Sequence, residues 1–325
     1  MSVPGRSVAE FFARFPDERA CLDHIMERQI AAGLTCNRCG SNGGWKYIKK
    51  RKKYYNCRQV HYSPLAKTIF ARSNLSLMAW FYAFLIIGNS KRGVKANFLR
   101  KQLGIGMKAA HRLGLGLRAH IAHYERPVML GGEGRKVYVD EALLCYVRSE
   151  DYGKEKNVII MGIACEGTVL CGVIENRKSK TLISCVERFV VPGSIIVTDG
   201  LPQYRQLENR GWKHIVVNHS RAFHDFEGNN TNQIEVFWSI LKRNLRLYRQ
   251  VARHHLWCYL AETEYAYNRR NANTPMFDEL IERFPEVTPQ SLAEVKRRFE
   301  WSIVDQVADS TVVEPSGPIK GTAPD

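Results

Sequence analysis

The chain has 325 residues, of which 45% are hydrophobic and 10% aromatic, so it is long enough for two or three globular domains. Its 48 Lys and Arg against 32 Asp and Glu give a net charge of +16, which favours a polyanionic partner such as nucleic acid. No apolar run reaches the length of a membrane span, and the N-terminus lacks the basic-then-apolar order of a signal peptide. These features predict a soluble, intracellular protein with no membrane partner.

Four residues near the N-terminus have the spacing of a zinc site. Cys36 and Cys39 form one Cys-x₂-Cys pair, and seventeen residues separate Cys39 from Cys57. This layout is typical of a zinc ribbon, in which two turns joined by a hairpin supply two ligands each. Val60 stands where a second Cys-x₂-Cys pair would end, so His61 is the candidate for the fourth ligand. The alternative is a degenerate ribbon that folds without metal or binds it weakly.

Basic residues are concentrated between these two half-sites. A strand predicted over Trp45 to Tyr55 carries a run of cations beside two tyrosines. Cations flanked by aromatic side chains suit contact with the phosphates and bases of DNA. The candidate DNA-contacting residues of this run are Lys49, Lys50, Arg51, Lys52 and Lys53.

Helical patterns follow the basic run. The segment 75–87 predicts a buried helix, and 94–120 predicts a helix, a glycine-containing turn and a second helix. The second helix carries Lys108 and Arg112, so the pair is a candidate helix-turn-helix unit for DNA binding. Three packed helices give the same pattern in many proteins, and a purely structural role remains the alternative.

The period of the hydrophobic pattern changes at Lys136. Strands are predicted over 136–147, 157–165, 169–174, 194–199 and 212–218, and helices over 179–190, 202–210 and 230–247. This α/β order, β-β-β-α-β-α-β-α, is that of an RNase H-like fold with a mixed five-stranded sheet. In that fold the first and fourth strands are neighbours, so we expect acidic residues on these two strands to meet.

Three carboxylates occupy positions that such a fold brings together. Asp140 and Asp199 each close a β-type run, and Glu235 lies on the long helix that follows. A cluster of this kind repels itself unless divalent cations lie within it, which predicts a site for two Mg²⁺ or Mn²⁺ ions. Lys242, seven residues after Glu235, projects from the same side of the helix and suits a DNA phosphate.

Each of these residues has an ordinary structural alternative. Glu141 is a rival ligand beside Asp140, although strand alternation directs it to the opposite face of the sheet. Asp199 and Gly200 form a common turn dipeptide, and Glu235 would also suit a solvated helix face. Taken jointly, at these spacings and on these elements, the three acids favour the metal site.

Four segments carry a resemblance to a known family, and they are Val139–Glu141, Val197–Gly200, Thr231–Arg243 and Tyr265–Arg270. They resemble bacterial insertion-sequence DDE transposases, in the ISXO-like branch with an N-terminal zinc ribbon and an Asp-Asp-Asn/Glu-Lys signature. The resemblance runs from about residue 16 to 285. It implies cleavage of element ends and strand transfer, recognition of terminal inverted repeats and target DNA, and assembly as a homo-oligomer on DNA. The expected location is the bacterial cytoplasm, in association with the nucleoid.

The family signature leaves the third catalytic position open. Asn232 and Glu235 lie one helical turn apart, and a carboxylate is the better Mg²⁺ ligand, so Glu235 is favoured with Asn232 assisting. Arg243 on the same helix is a candidate for DNA contact. Arg269 and Arg270 are candidates as well, although they would equally suit the basic end of a packed amphipathic helix predicted over 256–267.

The predicted domains are a ribbon-like domain at 16–70, a helical, helix-turn-helix-like region at 71–127, the RNase H-like core at 133–285, and a helical extension with a disordered tail at 286–325. Three features depart from the family pattern: Val60 in the ribbon, Asn230 where His is frequent, and the extension after about Val287, with a helix predicted from Pro289 to Val304. The competing functions are a nuclease of the same fold and a non-catalytic DNA-binding regulator derived from a transposase.

Overall fold

The computed structural model describes residues 5–48, 53–56, 61–90, 92–124, 126–145, 147–148, 157–217 and 232–301. Within these ranges the chain is a mixed α/β protein built on a five-stranded sheet. None of the helices described is both long enough and apolar enough to cross a bilayer. Five of the predicted site residues lie outside the described ranges, and they are Lys49, Lys50, Arg51, Lys52 and Cys57.

Two helices that the hydrophobic pattern did not predict begin the described chain. They are α1 (Val8–Arg14) and α2 (Glu18–Ala31). Ser7 and Glu10 form a capping box at the start of α1, each side chain bonding the backbone of the other, and Asp17 caps α2. The cap residues were visible in the sequence and were the available signal for where the two helices begin.

The prediction of one strand from Trp45 to Tyr55 is wrong. The segment forms two antiparallel strands, β1 (Lys46–Ile48) and β2 (Lys53–Tyr55), and β3 (His61–Tyr62) pairs with β2 on its other side. The cationic run between β1 and β2 contains no Gly, Pro, Asn or Asp. The sequence therefore had no ordinary turn residue to indicate that two antiparallel strands meet there.

Three helices occupy the predicted helical region. They are α3 (Leu77–Gly88), α4 (Ala96–Leu103) and α5 (Met107–Ala122). Ser76 caps α3 by accepting a hydrogen bond from the backbone N–H of Ala79. Gly104 ends α4 at φ 63°, a left-handed conformation that glycine adopts without steric cost and that allows the short turn into α5.

The second half of the chain alternates strands and helices. Its strands are β4 (Leu130–Gly131), β5 (Lys136–Leu144), β6 (Val147–Arg148), β7 (Val158–Cys165), β8 (Thr168–Ile174), β9 (Val190–Val191), β10 (Ile195–Thr198), β11 (Lys213–Val216) and β12 (Val251–Ala252). Its helices are α6 (Ser179–Phe189), α7 (Gln206–Asn209), α8 (Asn232–Leu247), α9 (Leu256–Asn268), α10 (Met276–Leu280) and α11 (Pro289–Arg297), with 3₁₀ turns at Pro202–Arg205 and Arg253–His255.

The large sheet has the strand order β11-β10-β5-β7-β8. Neighbouring pairs among β5, β7 and β8 are antiparallel, whereas β10 runs parallel to both β5 and β11. The predicted mixed five-stranded sheet is therefore confirmed, with its first and fourth strands side by side. The first strand is shorter than predicted, because β5 ends at Leu144 and the following β6 pairs with β12 instead.

Each face of the large sheet is covered by helices. Ala142, Leu144 and Ile160 pack with buried residues of α8 and α9 on one face. Val139 and Met161 pack with α6 and its neighbours on the other. Because side chains alternate along a strand, even-numbered positions of β5 face α8 and odd-numbered positions face α6.

A separate core joins the N-terminal helices to a late part of the chain. Phe11 and Phe81 pack in one buried cluster with Phe277 and Leu280 of α10. Ring centroids of Phe11 and Phe277 lie 5.9 Å apart in an edge-to-face arrangement. The chain after the large sheet thus returns to complete the N-terminal core.

The C-terminal extension packs on the edge of the large sheet. Thr288 caps α11, which begins at Pro289 as predicted but ends at Arg297, so the predicted helix through Val304 is too long. Val173 of β8 then exchanges backbone hydrogen bonds of 2.8 Å with Phe299 and 2.7 Å with Trp301. After α11 the chain therefore pairs with β8 like a short strand and does not continue as a helix.

Candidate active site

Asp140 lies within β5 rather than at its end, where the sequence placed it. The strand continues to Leu144 because β7 pairs with it from Tyr138 to Leu144, with Gly162 opposite Asp140. The Asp140 carboxylate is partly buried on the α8 face, and its Oδ2 accepts a hydrogen bond of 2.9 Å from Nε1 of Trp238. A side chain of α8 therefore orients this carboxylate.

Asp199 directly follows the last residue of β10. In the parallel pairing of β10 with β5, Val197 lies opposite Tyr138. Continued by two residues, this register sets Asp199 level with Asp140. Oδ1 of Asp199 accepts a hydrogen bond of 3.1 Å from the backbone N–H of Leu201, which holds the turn after the strand.

Glu235 lies in the first turn of α8 and is exposed. The helix crosses the sheet at Gly162, where an added Cβ would lie 2.6 Å from Cδ1 of Ile234 and 2.7 Å from Cζ2 of Trp238. Real Cβ atoms do not tolerate such contacts, so the absence of a side chain at Gly162 permits this close packing. The helix can then hold Glu235 close to Asp140.

The pKa of Asp140 is affected by its burial and by the two neighbouring acids. Burial raises the pKa of Asp140 above its ordinary value, and the negative charges of Asp199 and Glu235 raise it further. The hydrogen bond from Trp238 opposes this shift by stabilising the ionised carboxylate. A partly buried acid with two acidic neighbours is the arrangement in which a bound cation would relieve repulsion.

The chemistry of the three side chains fits a hard divalent cation. Carboxylate oxygens are the ligands that Mg²⁺ and Mn²⁺ prefer, and Asp140, Asp199 and Glu235 supply them from three separate elements. Within the described ranges, no three His, Cys, Asp or Glu side chains are already arranged around one metal position. Asn232 begins α8, one turn before Glu235, and its side chain lies outside the described part of the structure.

Glu141 lies on the opposite face, as alternation predicted, in a buried cluster that sequence reasoning missed. The Tyr204 hydroxyl donates a hydrogen bond to Glu141, and Nε of Arg177 lies 3.8 Å from its Oε2. Burial raises the pKa of Glu141 to about 7; the Tyr204 hydrogen bond opposes this, while Asp140 and Asp199 add to it. These internal partners make Glu141 a weaker candidate for metal binding than Asp140.

Trp238 is the side chain of α8 that contacts Asp140, a contact that the sequence analysis did not predict. Its place in the pattern, beside Ile234 and Leu241, indicated only an apolar helix face, and all three side chains are indeed buried. Its position three residues after Glu235 was the available signal, because residues three apart on a helix share a side. Further along α8, Lys242 is partly buried and Arg243 is exposed.

Arg269 and Arg270 are held by contacts within the chain. Arg269 forms an ion pair with Glu279 of α10. Arg270 donates hydrogen bonds of 2.7 Å and 2.8 Å to the carbonyls of Gly167 and Tyr267, and its guanidinium lies 3.9 Å from the centre of the Tyr267 ring. These contacts support the structural alternative for both arginines.

Lys108 and Arg112 are exposed on α5, where a nucleic acid can reach them. The helix itself is fixed to α9 by a buried ion pair: Nε of Arg118 lies 2.9 Å from Oε2 of Glu262. The same guanidinium donates a hydrogen bond of 2.9 Å to the hydroxyl of Tyr248, just after α8. The orientation of α5 is thereby tied to the helices that flank the candidate active site.

The predicted zinc ligands are described only in part. The carbonyl of Cys36 accepts a hydrogen bond of 2.8 Å from the N–H of Gly40, so the Cys36–Cys39 segment forms a tight turn. Cys36 is buried, Cys39 is exposed, and His61 lies in β3. With Cys57 outside the described ranges, the zinc site stays a prediction, and the side chain of the candidate DNA contact Lys53 lies outside them too.

Two comparisons with known proteins found similarity to transposases. Residues 131–268 match the model of a family described as "ISXO2-like transposase domain". A protein of Haemophilus influenzae described as "Uncharacterized transposase-like protein" is 33% identical over 96 residues, which make up 30% of this chain and 77% of that protein. The range matched by the family model includes β5, β10 and α8, and with them all three carboxylates.

Proposed function

Because the chain belongs to the family of ISXO2-like transposases, we propose that it binds the terminal inverted repeats of its own insertion sequence, cleaves the DNA there and joins the freed ends to target DNA. The observation that supports this proposal is that the charges of Asp199 and Glu235 raise the pKa of Asp140. Like charges brought together on three rigid elements are typical of a two-metal phosphoryl-transfer site.

In this proposal Asp140, Asp199 and Glu235 would hold two Mg²⁺ or Mn²⁺ ions. The ions, when bound, activate the attacking oxygen and stabilise the leaving oxygen of an in-line displacement. Trp238 keeps the Asp140 carboxylate in one orientation through its indole N–H. Lys242, two helical turns after Glu235, neutralises a DNA phosphate and so helps to position the scissile strand.

The DNA path proposed here follows exposed cations. Lys108 and Arg112 on α5 suit contact with the element end, and Arg243 on α8 suits the backbone near the site of reaction. The net charge of +16 supplies the non-specific attraction that such binding needs. We leave Arg269 and Arg270 out of this surface, since both have partners within the chain.

Three further features belong to the proposal. Cys36, Cys39, Cys57 and His61 bind one zinc ion in a ribbon that contacts DNA with the basic run 49–53. The protein assembles as a homo-oligomer on DNA in the bacterial cytoplasm, associated with the nucleoid. The core, with its mixed five-stranded sheet, has a fold of the RNase H type.

The test uses purified full-length protein and a linear DNA that carries the inverted repeats flanking the reading frame. Nicking and joining are measured with Mg²⁺ or Mn²⁺, and DNA binding is measured separately. We expect Asp140→Asn to lower joining by at least about a thousandfold, because several kcal/mol of transition-state stabilisation are lost. DNA binding should persist, and Glu187→Gln, an exposed acid on α6, should leave joining unchanged.

Separate variants decide the third position. Loss of joining in Glu235→Gln with activity retained in Asn232→Ala assigns the ligand to Glu235, and the reverse assigns it to Asn232. Joining at the wild-type rate by Asp140→Asn would refute the metal site. Cleavage without use of a 3′-hydroxyl would identify a nuclease, and DNA binding without metal-dependent turnover would identify a regulator.

A further inference from the structure

A cavity of about 320 Å³ lies between α8, α9 and the residues that follow α3. Its lining on α8 includes Ile240, Arg243 and Asn244, and its lining on α9 includes Ala266 and Tyr267. The three candidate carboxylates are not among the lining residues. The cavity is therefore a separate space that opens along the same helix.

The charge of the cavity wall favours an anionic ligand. Among the described residues that line it, three are arginines (Arg243, Arg269 and Arg270) and none is Asp or Glu. Arg269 and Arg270 already have partners within the chain, whereas Arg243 is exposed at the mouth. A guanidinium in this position suits a phosphate, which it can contact with two parallel hydrogen bonds.

A buried amide inside the cavity lacks a hydrogen-bond partner. Asn244 is only 7% exposed, and its Oδ1 has no partner in the described structure. Buried polar atoms are normally paired, so an orphan of this kind points to a missing ligand. A side-chain amide presents a donor and an acceptor side by side, which is the pattern that matches the edge of a nucleobase. The apolar side chains of Ile240 and Met276 in the lining suit contact with a base.

We propose that this cavity receives an unpaired nucleobase of the bound DNA, with Asn244 contacting the base edge and Arg243 its phosphate. The proposal rests on the proposed function, because it requires DNA along α8. Arg243 follows Glu235 by eight residues, about 12 Å along the helix axis. At a rise of about 3.4 Å per nucleotide, the cavity is then three or four nucleotides from the reacting phosphate. Its role would be to anchor a base beside the point of cleavage.

The experiment compares two DNA duplexes of one sequence, one fully paired and one with a single unpaired 2-aminopurine. We expect the wild-type protein to bind the second duplex about tenfold more tightly, because one enclosed base adds stacking and hydrogen-bond contacts. Enclosure should also change the 2-aminopurine fluorescence. Asn244→Leu should abolish the preference and leave the affinity for the paired duplex unchanged.

Two further variants control for folding and charge. Ala266→Leu fills the cavity from the α9 side and should also abolish the preference, even if Asn244→Leu folds poorly. Arg246→Gln removes an exposed charge from α8 outside the cavity and should retain the preference. Thermal unfolding of each variant shows whether it is folded.

The outcomes separate the two proposals. Equal wild-type binding of both duplexes, or a preference that survives in Asn244→Leu and Ala266→Leu, would overturn the base pocket while leaving the transposase function standing. Failure of the wild-type protein to bind either duplex would overturn DNA binding itself, and the pocket with it.

Discussion

Two clusters of charged side chains in this molecule differ in their charge balance. On α5 the buried guanidinium of Arg118 is paired with Glu262, and its remaining donors reach the carbonyls of Val94 and Gly114. At Asp140 a partly buried carboxylate has one indole donor and further carboxylates as neighbours. The first cluster is satisfied within the chain, so it acts as a structural joint. The second cluster carries an excess of negative charge. A structural role would not require this excess, and a bound cation would balance it.

The largest expected effect comes from breaking the buried ion pair between Arg118 and Glu262. Arg118→Met leaves Glu262 buried without its cation, and we expect the free energy of unfolding to fall by about 3–5 kcal/mol. Urea denaturation at pH 7 measures this change. The double variant Arg118→Met/Glu262→Gln removes both charges and should recover most of the loss. Wild-type stability in the single variant would show that the joint is not electrostatic.

On the α6 face of the sheet, removing the charge of the buried Glu141 should instead stabilise the fold at high pH. Burial raises the pKa of Glu141 from 4.5 to about 7, so the folded state holds a proton that the unfolded state releases. The stability linked to Glu141 is therefore full below about pH 4.5 and lost as the pH rises through about 7, a difference of about 3 kcal/mol.

Glu141→Gln should remove this pH dependence, and at pH 8 it should be more stable than the wild-type protein. Unfolding is followed from pH 4 to 8 in EDTA, so that no divalent ion contributes. Glu187→Gln, an exposed carboxylate on α6, is the control and should keep the wild-type slope. An unchanged slope in Glu141→Gln would mean that Glu141 is ionised in both states.

A matched pair of glycines tests geometry rather than charge. An added Cβ at Gly162 would press on Ile234 and Trp238, whereas one at Gly172 would press on Trp301 on the other face of the sheet, 2.4 Å from its indole. Either change to Ala should destabilise the fold by about 1–3 kcal/mol. Only Gly162→Ala should also lower DNA joining, because it displaces α8; equal joining by the two variants would contradict the role of this packing.

The smallest expected effect concerns the hydrogen bond to Asp140. Trp238→Phe retains most of the apolar volume but removes the indole N–H that orients the carboxylate. We expect the joining rate to fall about tenfold, the value of one hydrogen bond to a charged group. The free energy of unfolding, measured by denaturation, should change little in this variant. A rate equal to that of the wild-type protein would show that Asp140 is oriented by other contacts.

The pairing of Asp140 with Asp199 was predictable because it depends on strand order. Two β-type runs that both end in Asp, separated by the right elements, become neighbours in only a few sheet topologies, and the structure has the expected one. The helical position of Glu235 was predictable from the apolar period of α8.

Other parts of the site depend on contacts between residues distant in sequence. The bond from Trp238 to Asp140 spans 98 residues and that from Tyr204 to Glu141 spans 63, and no local pattern encodes either of them. The reversal between β1 and β2 was missed for a different reason, since its residues include no usual turn former. The cavity beside Asn244 is formed by α8, α9 and the residues after α3, so it could not be predicted from any one of these segments.

The pairing of Val173 with Phe299 and Trp301 has a consequence for how the molecule behaves among its own copies. β8 is the last strand of the large sheet, and an unpaired outer strand offers N–H and C=O groups to any neighbouring chain. The C-terminal segment covers part of that edge, and the Trp301 ring lies over Gly172. This pairing thus protects part of the sheet edge against sheet-to-sheet aggregation with other copies of the chain.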